Sequence, residues 1–433
     1  MTSRVDFASE AFFRDPAATV AALRAVAPVV KSRFPIVGPV WVTTTHEAAA
    51  RVLKDAKTFT LRKEGGQPAG LRWWMPRSVA ALTSNMLAQD EPDHTRLRSI
   101  VDEAFRRRAV LGMEQNIRVI ADRLAGELFA EGQPADVVAR YARLVPLSVI
   151  CELLGLPEAD RPQFIAWANA MGRLSGVIDF LRVSFGLKKM RRYFEARLAE
   201  ARAQGGQGLI AELVRVEREG GRITGDELVS MLFLLLLAGS ETTTHLISGS
   251  VFELLKDPAK RDWLTEDWSR AGLAVEEFLR FVAPVQFSKP RYVRCDVEIE
   301  GVSLKRGEQV MAMLVAANLD PDANEHSDAF DLARHPNRHL SFGTGIHFCL
   351  GNQLARLEAI CALQALFTRW PSLKLAVAPD EVHWRKRPGL RSLVRLPVVA
   401  GQAEIGQCLD VIRIAFESAA VMVHRLVLPP QIP

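Results

Sequence analysis

The sequence predicts a mainly α-helical fold with a small β region, of the α+β class, on three observations. Apolar residues recur at helical spacing almost throughout residues 97–218. A single long helix is predicted from Thr224 to Asp257. Residues 285–315 instead alternate apolar and polar side chains between glycines, as short strands do. Helix therefore dominates, and the strands form a minor part.

The chain of 433 residues is predicted to fold as one domain over residues 1–400. No repeat and no linker rich in Pro, Gly or Ser divides this part, and a hydrophobic content of 48% suffices for one large core. Residues 401–433 are predicted to be a C-terminal extension that forms an amphipathic helix. Its pattern leaves open whether the helix docks on the body, pairs two subunits or belongs to the natural protein at all. The apolar stripe consists of Ile405, Leu409, Ile412, Phe416, Ala419 and Val423.

The first predicted elements are a hairpin and a helix. Residues 28–44 contain two short β-branched runs on either side of Pro35 and Gly38, which is typical of a β-hairpin. A helix is predicted to follow over residues 46–54.

The long helix begins with a capping box, because Thr224 can cap the chain while Glu227 returns the bond. Residues 228–238 are apolar on every face, but eleven residues are too few to cross a bilayer, so this part is predicted to be buried in protein. Small and polar residues at 239–245 then interrupt the apolar run. Polar groups inside a buried helix carry a cost, which suggests a function.

The charge balance argues against a nucleic-acid partner. Lys and Arg number 55 against 50 Asp and Glu, and the cations are dispersed among acids. Charged residues also interrupt the apolar residues of the N-terminal stretch 1–24, so we expect neither a signal peptide nor a membrane anchor. The predicted location is cytoplasmic and soluble.

Cys349 lies in the stretch "FGTGIHFCLG", residues 342–351, just before a predicted helix. The five cysteines are scattered and include no Cys-x-x-Cys pair, so neither a disulfide nor a zinc cluster is expected. A lone cysteine is more often a buried, inert side chain. Here a helix N-terminus favours the thiolate, and glycines let the backbone approach a flat ligand. One thiolate beside open space suits haem iron.

This stretch matches, at every defined position, the haem-binding signature Phe-x-x-Gly-x-(Arg/His)-x-Cys-x-Gly, and the chain therefore resembles the cytochrome P450 superfamily of soluble bacterial haem-thiolate monooxygenases. Family landmarks run in order from about residue 85 to 400. The resemblance implies a cytochrome P450 fold with a long central helix crossing the haem, a heme b (iron protoporphyrin IX) cofactor, and Cys349 as the axial thiolate to the iron. It also implies that Phe342 packs beside the sulfur and that Gly343 and Gly351 allow close approach to the porphyrin.

The resemblance further implies four partners for the haem propionates. The stretch "DEPDHTRLR" at 90–98 resembles a family segment and contains His94 and Arg98, four residues apart on one helical face. Arg291 and His347 occupy the other two family positions. Each of the four alone is also compatible with a surface charge, and the set is the stronger argument.

Glu277 and Arg280, in the predicted helix at 273–281, resemble the first two members of the family's Glu-Arg-Arg core. The third member would be Arg334. A carboxylate shared by two guanidiniums can be buried, so we expect this group to have a structural role and to hold the segment before Cys349.

The polar interruption of the long helix resembles the family's oxygen-activation motif, with Glu241 and Thr242 as an acid–alcohol pair. The resemblance implies that the Thr242 hydroxyl holds the oxygen ligand and an ordered water, while Glu241 passes protons in from solvent. Thr243 and Thr244 fit a helix with back-bonded hydroxyls better, and His245 has no assigned role.

The substrate is expected to be apolar and medium-sized, because the family's substrate-contacting regions are apolar in this chain. The candidate contacts are Leu71, Trp73, Trp74 and Met75 in the loop before His94, Leu234, Leu237 and Ala238 in the long helix, and Val285 and Phe287 after Arg280.

The predicted activity is insertion of one oxygen atom from O2 into this substrate. The chain has no room for a reductase domain, so the resemblance implies that electrons from NAD(P)H arrive through a separate ferredoxin or flavodoxin with its reductase. Residues 106–108, three arginines, are predicted to contribute to a positive docking face for this partner. Two alternatives stay open: a peroxide-driven peroxygenase or haem dehydratase, against which the acid–alcohol pair argues, and a non-catalytic haem-thiolate sensor or ligand-binding protein.

Overall fold

The structure is a computed structural model that describes residues 5–35, 37–63, 85–108, 110–171, 177–220, 223–402 and 404. Its α-helices are α1 (Glu10–Arg14), α2 (Ala17–Val26), α3 (His46–Lys54), α4 (Asp93–Arg108), α5 (Glu114–Glu127), α6 (Leu144–Leu154), α7 (Arg161–Met171), α8 (Val177–Gln204), α9 (Leu209–Arg218), α10 (Gly225–Lys256), α11 (Pro258–Glu266), α12 (Ala271–Val282), α13 (Leu314–Asn318) and α14 (Asn352–Arg369).

The strands are short and form three small sheets. They are β1 (Val29–Phe34), β2 (Gly38–Thr43), β3 (Phe59–Thr60), β4 (Ala135–Asp136), β5 (Arg291–Val293), β6 (Val297–Ile299), β7 (Val302–Leu304), β8 (Gln309–Met311), β9 (Lys374–Leu375) and β10 (Pro397–Val399). The largest sheet has the order β1-β2-β8-β5-β3, the second has the order β4-β10-β9, and β6 pairs with β7. The predicted α+β class is confirmed.

The predicted hairpin is the antiparallel pair of β1 and β2, in which Val29 is opposite Thr43 and Phe34 is opposite Gly38. The predicted helix over 46–54 is α3, with Thr45 as its N-cap. The predicted β region supplies β5 to β8, and β8 joins the hairpin by parallel pairing with β2. This junction brings the N-terminal part of the chain beside the segment that contains Arg291.

Helix α10 is the central element of the fold. The predicted capping box is present, since Thr224 accepts a hydrogen bond from the backbone of Glu227 and the Glu227 carboxylate accepts one from the Thr224 backbone. Among the described helices, α10 alone is long and apolar enough to cross a bilayer, and 67% of its most apolar window is buried inside the protein. Burial against the surrounding helices therefore accounts for its composition.

The main core extends from Phe7 to Val398 and encloses α10. Helix α10 packs against α6 on one side and α14 on another, and α14 also packs against α5. Because Cys349 lies three residues before α14 begins, this packing places the cysteine loop beside the middle of α10.

Candidate active site

One large cavity lies between the middle of α10, the loop before α14 and the segment that leads to β5. The space free of protein atoms is about 1710 Å³, including the mouth that opens to solvent. Most of the candidate site residues predicted from the sequence line this cavity. They are His94, Arg98, Leu234, Ala238, Thr242, Val285, Phe287, Arg291, Phe342, Gly343, His347, Cys349 and Gly351.

Cys349 lies between a 3-10 turn and α14, with its backbone N–H donated to the Phe342 carbonyl over 3.0 Å. Burial raises the pKa of the Cys349 thiol, whereas the Gly351 N–H and the charges of Arg98 and Arg356 lower it. The donor and cationic groups expected to favour the thiolate are therefore present, but burial outweighs them. A coordinated metal ion deprotonates a thiol outright.

Phe342 is braced from behind by a polar cluster that sequence reasoning missed. The Arg356 guanidinium lies 4.5 Å from the centre of the Phe342 ring and donates to Glu276 over 2.5 and 2.9 Å. His339 contacts the same carboxylate at 3.0 Å. Burial would raise the pKa of Glu276, but the hydrogen bonds from Arg356 and His339 outweigh it and lower the pKa to about 2. The cluster ties α12 and α14 to the cysteine loop.

The glycines of the loop differ in what they permit. A Cβ on Gly345 would lie 2.6 Å from the Leu53 carbonyl oxygen, so this glycine is needed for close packing on α3. A Cβ on Gly343 or Gly351 would meet no protein atom within 4 Å, and both glycines line the cavity. The wall is therefore bare backbone there, which leaves room for a flat ligand to approach.

His94 and His347 contact each other edge to face, with ring centres 4.3 Å apart. Burial lowers the pKa of His94. Burial also lowers the pKa of His347 to about 3, and the neighbouring cations act in the same direction. The Nδ1 atom of His94 is buried without a hydrogen-bond partner among the described residues, since Glu91 lies 3.6 Å away.

The two arginines of the cavity wall are held differently. Arg98 donates to Asp102 over 3.1 Å and to the Phe348 carbonyl over 2.8 Å. Arg291 is 3% exposed and donates through one terminal nitrogen to the carbonyls of α3, at 3.1 Å to Val52. Its Nε atom is buried without a partner in the described part of the chain. Burial lowers the pKa of Arg291 to about 10.

Thr242 lies on the cavity face of α10, and its hydroxyl donates to the Ala238 carbonyl over 2.8 Å. Thr244 makes the same kind of bond to Ser240, also over 2.8 Å, but does not line the cavity. The helix continues through all these residues, so the back-bonded hydroxyls satisfy themselves without breaking it.

Glu241 does not line the cavity. Its carboxylate forms an ion pair with Arg387, from the loop before β10, a partner that sequence reasoning missed. His245, one turn further along α10, is 4.0 Å from the same carboxylate, and burial lowers its pKa to about 3. A neutral imidazole at that distance is no counter-ion, so Arg387 alone of these two residues neutralises Glu241.

Among the predicted substrate contacts, Leu237 is not one of the residues that line the cavity, whereas Leu235, which was not predicted, is. Each helical residue turns the side chain by about 100°, which places position 237 away from the face that contains Thr242. The candidate contacts at 71 and 73–75 lie outside the described residues, as do the side chains at 106–108 and nearly all of the C-terminal extension.

Comparison with known proteins identifies the architecture. The family model "Cytochrome P450" matches residues 273–388. The Vitamin D(3) 25-hydroxylase of Pseudonocardia autotrophica is 40% identical over 403 residues, which cover 92% of this chain and 97% of that protein. The chain belongs to the cytochrome P450 family. It is accordingly a monooxygenase that uses haem and O2.

Solved cytochrome P450 structures superpose on this one over nearly their whole length. Myxobacterial CYP267B1 in complex with myristic acid has a TM-score of 0.83 and 35% identity, and the match covers 91% of this chain and 98% of that one. P450BioI, in complex with an acyl carrier protein that bears hexadec-9Z-enoic acid, has a TM-score of 0.81 and 34% identity, with coverage of 90% and 100%.

The residues of this cytochrome P450 fit a haem. The wall offers one cysteine sulfur, bare glycine backbone beside it, and buried nitrogens of His94 and Arg291 that have no hydrogen-bond partner among the described residues. Buried polar groups are normally paired, so these two nitrogens suit the carboxylates of a bound molecule.

Behind the cysteine loop lies the buried charge cluster of this cytochrome P450. Glu277 and Arg280 are 0% exposed and share two hydrogen bonds of 2.7 Å. Arg334 donates to the same carboxylate over 3.1 Å, and Asn337 does so over 3.0 Å. Arg280 also reaches the Asn318 carbonyl over 3.1 Å. The cluster therefore joins α12 to the long segment that precedes the cysteine loop.

We expect Glu277→Gln to lower the free energy of unfolding by about 3–5 kcal/mol, because the change leaves two buried guanidiniums without their shared anion. Denaturant unfolding of the purified proteins measures this. The control is Glu266→Gln at an exposed position of the preceding helix, for which the expected change is within about 0.5 kcal/mol. Equal effects of the two substitutions would contradict a structural role for the cluster.

Proposed function

We propose that this cytochrome P450 inserts one oxygen atom from O2 into an apolar, medium-sized organic substrate, in a hydroxylation-type reaction. The observation that carries the proposal is the shared cavity, in which Cys349 and Thr242 line the same space as apolar side chains of α10 and of the segment after α12. A lipophilic molecule in that space would lie between the part of the wall that contains Cys349 and the part that contains Thr242.

In this proposal Cys349 would hold the haem iron through its sulfur, at which the Gly351 N–H is directed. His94, Arg98, Arg291 and His347 hold the propionates, and Phe342, Gly343 and Gly351 form the surface on which the porphyrin lies. The haem, when bound, supplies the oxidising chemistry. The protein side chains orient it, neutralise its carboxylates and keep water away from the sulfur.

Thr242 and Glu241 are proposed to manage the protons that oxygen reduction consumes. The Thr242 hydroxyl lies on the cavity face with its proton directed at Ala238, so its oxygen can accept a hydrogen bond from an ordered water. Glu241 lies on the other side of α10, next to Arg387. In this proposal Glu241 takes up protons from solvent and passes them along the surface of α10 toward Thr242.

Two relatives favour a long apolar substrate. The structures of CYP267B1 and P450BioI contain, by their descriptions, myristic acid and a carrier-bound hexadecenoic acid. In this chain the corresponding space is lined by Leu234, Ala238, Val285 and Phe287. A cavity with apolar walls binds a ligand more tightly for each methylene group of the ligand that it buries.

The electrons are proposed to come from NAD(P)H through a separate ferredoxin or flavodoxin and its reductase. This is proposed because bacterial cytochrome P450 relatives imply redox partners. We also propose that residues 1–400 form a single domain, for which the pairing of β10 with β4 argues, and that the protein is cytoplasmic.

The experiment is a screen of fatty acids, steroids and macrolides for the spectral shift of the ferric haem from low to high spin. A bound substrate produces this shift by displacing water from the iron. Because the cavity wall is apolar, we expect compounds of these lipophilic classes to produce it. For that hit, Leu234→Ala should raise the Kd about fivefold, since an apolar contact is lost.

Leu237→Ala is the matched control, because Leu237 has the same side chain one turn away and outside the cavity. Its Kd should stay at the wild-type value. A panel in which only small polar compounds shift the spectrum would reject the proposed substrate class, and equal effects of the two alanines would reject the assigned wall.

A further inference from the structure

Lys289 lies on the segment between α12 and β5, two residues before Arg291. Its backbone is held against the neighbouring strand, because the Ser288 N–H donates to the Ala312 carbonyl over 2.8 Å. The Ser288 hydroxyl accepts from the Ala312 N–H over 2.9 Å and donates to the Lys289 carbonyl over 3.0 Å. These bonds hold the backbone at this position.

By its accessible surface Lys289 is exposed, and it lines the cavity. The protein atoms packed around it lower the pKa of Lys289 to about 8, with no acidic side chain close enough to oppose this effect. Within the described residues, no ion pair involves its ammonium group.

Several other lysines of the described part have acidic partners. Lys31 pairs with Glu308 over 2.7 Å, Lys256 with Glu253 over 2.8 Å, and Lys305 with Asp296 over 2.8 Å. The described cavity wall contains one acid, Glu358, and burial raises its pKa well above the usual value, which keeps it neutral. The wall around Lys289 therefore has an excess of positive charge.

We propose that Lys289 binds a carboxylate of the molecules that enter this cavity, either a haem propionate or the acid group of a substrate. An ammonium group on a cavity wall with no acid beside it attracts a carboxylate that enters the cavity and can bind it through a charge-assisted hydrogen bond. The charge of Lys289 acts on His347, together with that of Arg291. This places the ammonium at the end of the cavity where the propionate partners lie, so the propionate is the favoured source.

The inference rests on the haem site proposed above, and its test does not depend on turnover. The first measurement is the rate at which the ferric holoprotein loses haem to excess apomyoglobin. The second is the ratio of Kd values for dodecanoic acid and methyl dodecanoate in spin-shift titrations. The variants are Lys289→Met, Lys289→Arg and Lys57→Met, the last being the same substitution at an exposed lysine outside the cavity wall.

If a propionate is the partner, Lys289→Met should lose haem about tenfold faster or more, with Lys289→Arg close to wild type and Lys57→Met unchanged. If the substrate acid is the partner, haem loss stays constant and the preference for the acid over the ester falls about tenfold in Lys289→Met. Wild-type values for both measurements in Lys289→Met would overturn the proposal.

The spectrum of the reduced carbon monoxide complex separates this proposal from the proposed function. A thiolate-type band in wild type together with unchanged haem loss and unchanged acid preference in Lys289→Met rejects Lys289 alone. Absence of that band in wild type rejects the haem-thiolate site itself, and the assignment of Lys289 with it.

Discussion

Cys349→Ala is expected to abolish the red-shifted Soret band that the reduced carbon monoxide complex of a haem thiolate shows, and to reduce monooxygenase turnover below detection. Cys349 is the cysteine that lines the cavity in the described part of the chain, and alanine removes its sulfur while keeping the backbone bond to Phe342. Without the anionic ligand, electron donation to the iron is lost. Absorbance spectra of the purified variant and turnover with the screened substrate measure the two effects.

Cys361→Ala is the matched control. Cys361 is buried on α14, outside the cavity wall, and burial raises the pKa of its thiol to about 11. Its replacement should cost about 1 kcal/mol in unfolding free energy and leave the band in place. Retention of the band in Cys349→Ala, or its loss in Cys361→Ala, would show that the ligand has been misassigned.

Thr242→Ala is expected to keep the haem and its carbon monoxide band while diverting electrons from product to hydrogen peroxide. The substitution removes from the cavity face of α10 the hydroxyl that would hold an ordered water for proton delivery. We expect the product formed per NAD(P)H to fall about tenfold or more, in line with the size of general acid catalysis. Oxygen uptake, peroxide and product are measured in the same reaction.

Thr244→Ala is the control for the loss of a back-bonded hydroxyl from α10. Thr244 makes the same back-bond as Thr242, each over 2.8 Å, but lies outside the cavity wall. Thr244→Ala should keep coupling at the wild-type value, and Thr242→Ser should restore most of it. Unchanged coupling in Thr242→Ala would argue against the proton route. If Thr242→Ala converts the substrate with hydrogen peroxide alone as fast as the wild-type protein does, the peroxygenase alternative is favoured.

Local sequence signals predicted several elements to within a few residues. The long helix was predicted from Thr224 to Asp257 and is observed from Gly225 to Lys256, because its start depends on the capping box within four residues. The hairpin follows from its β-branched runs in the same way, and the helix predicted over 46–54 is α3. Each of these features depends on contacts between near neighbours in the chain.

Polar contacts between distant segments had no local signal. The pairing of Glu241 with Arg387 joins residues 146 positions apart, and the bond between Glu276 and Arg356 joins residues 80 positions apart. Neither acid lies in a local sequence that indicates its partner. Two-residue strands such as β4 and β9 were also not predicted, because they are too short to show an alternating pattern.

The sequence by itself determined the fold class, through helical periodicity, and the cysteine loop, through a highly specific spacing of Phe, Gly, His and Cys. The residues expected around that loop were implied by the family resemblance. Only the tertiary structure decided which side of α10 faces the cavity, so that Leu235 lines it and Leu237 does not. It also decided that Lys289 has no acid near it and that Arg387 neutralises Glu241. The reason is physical: burial and charge pairing depend on segments that are distant in the chain, and no local pattern encodes them.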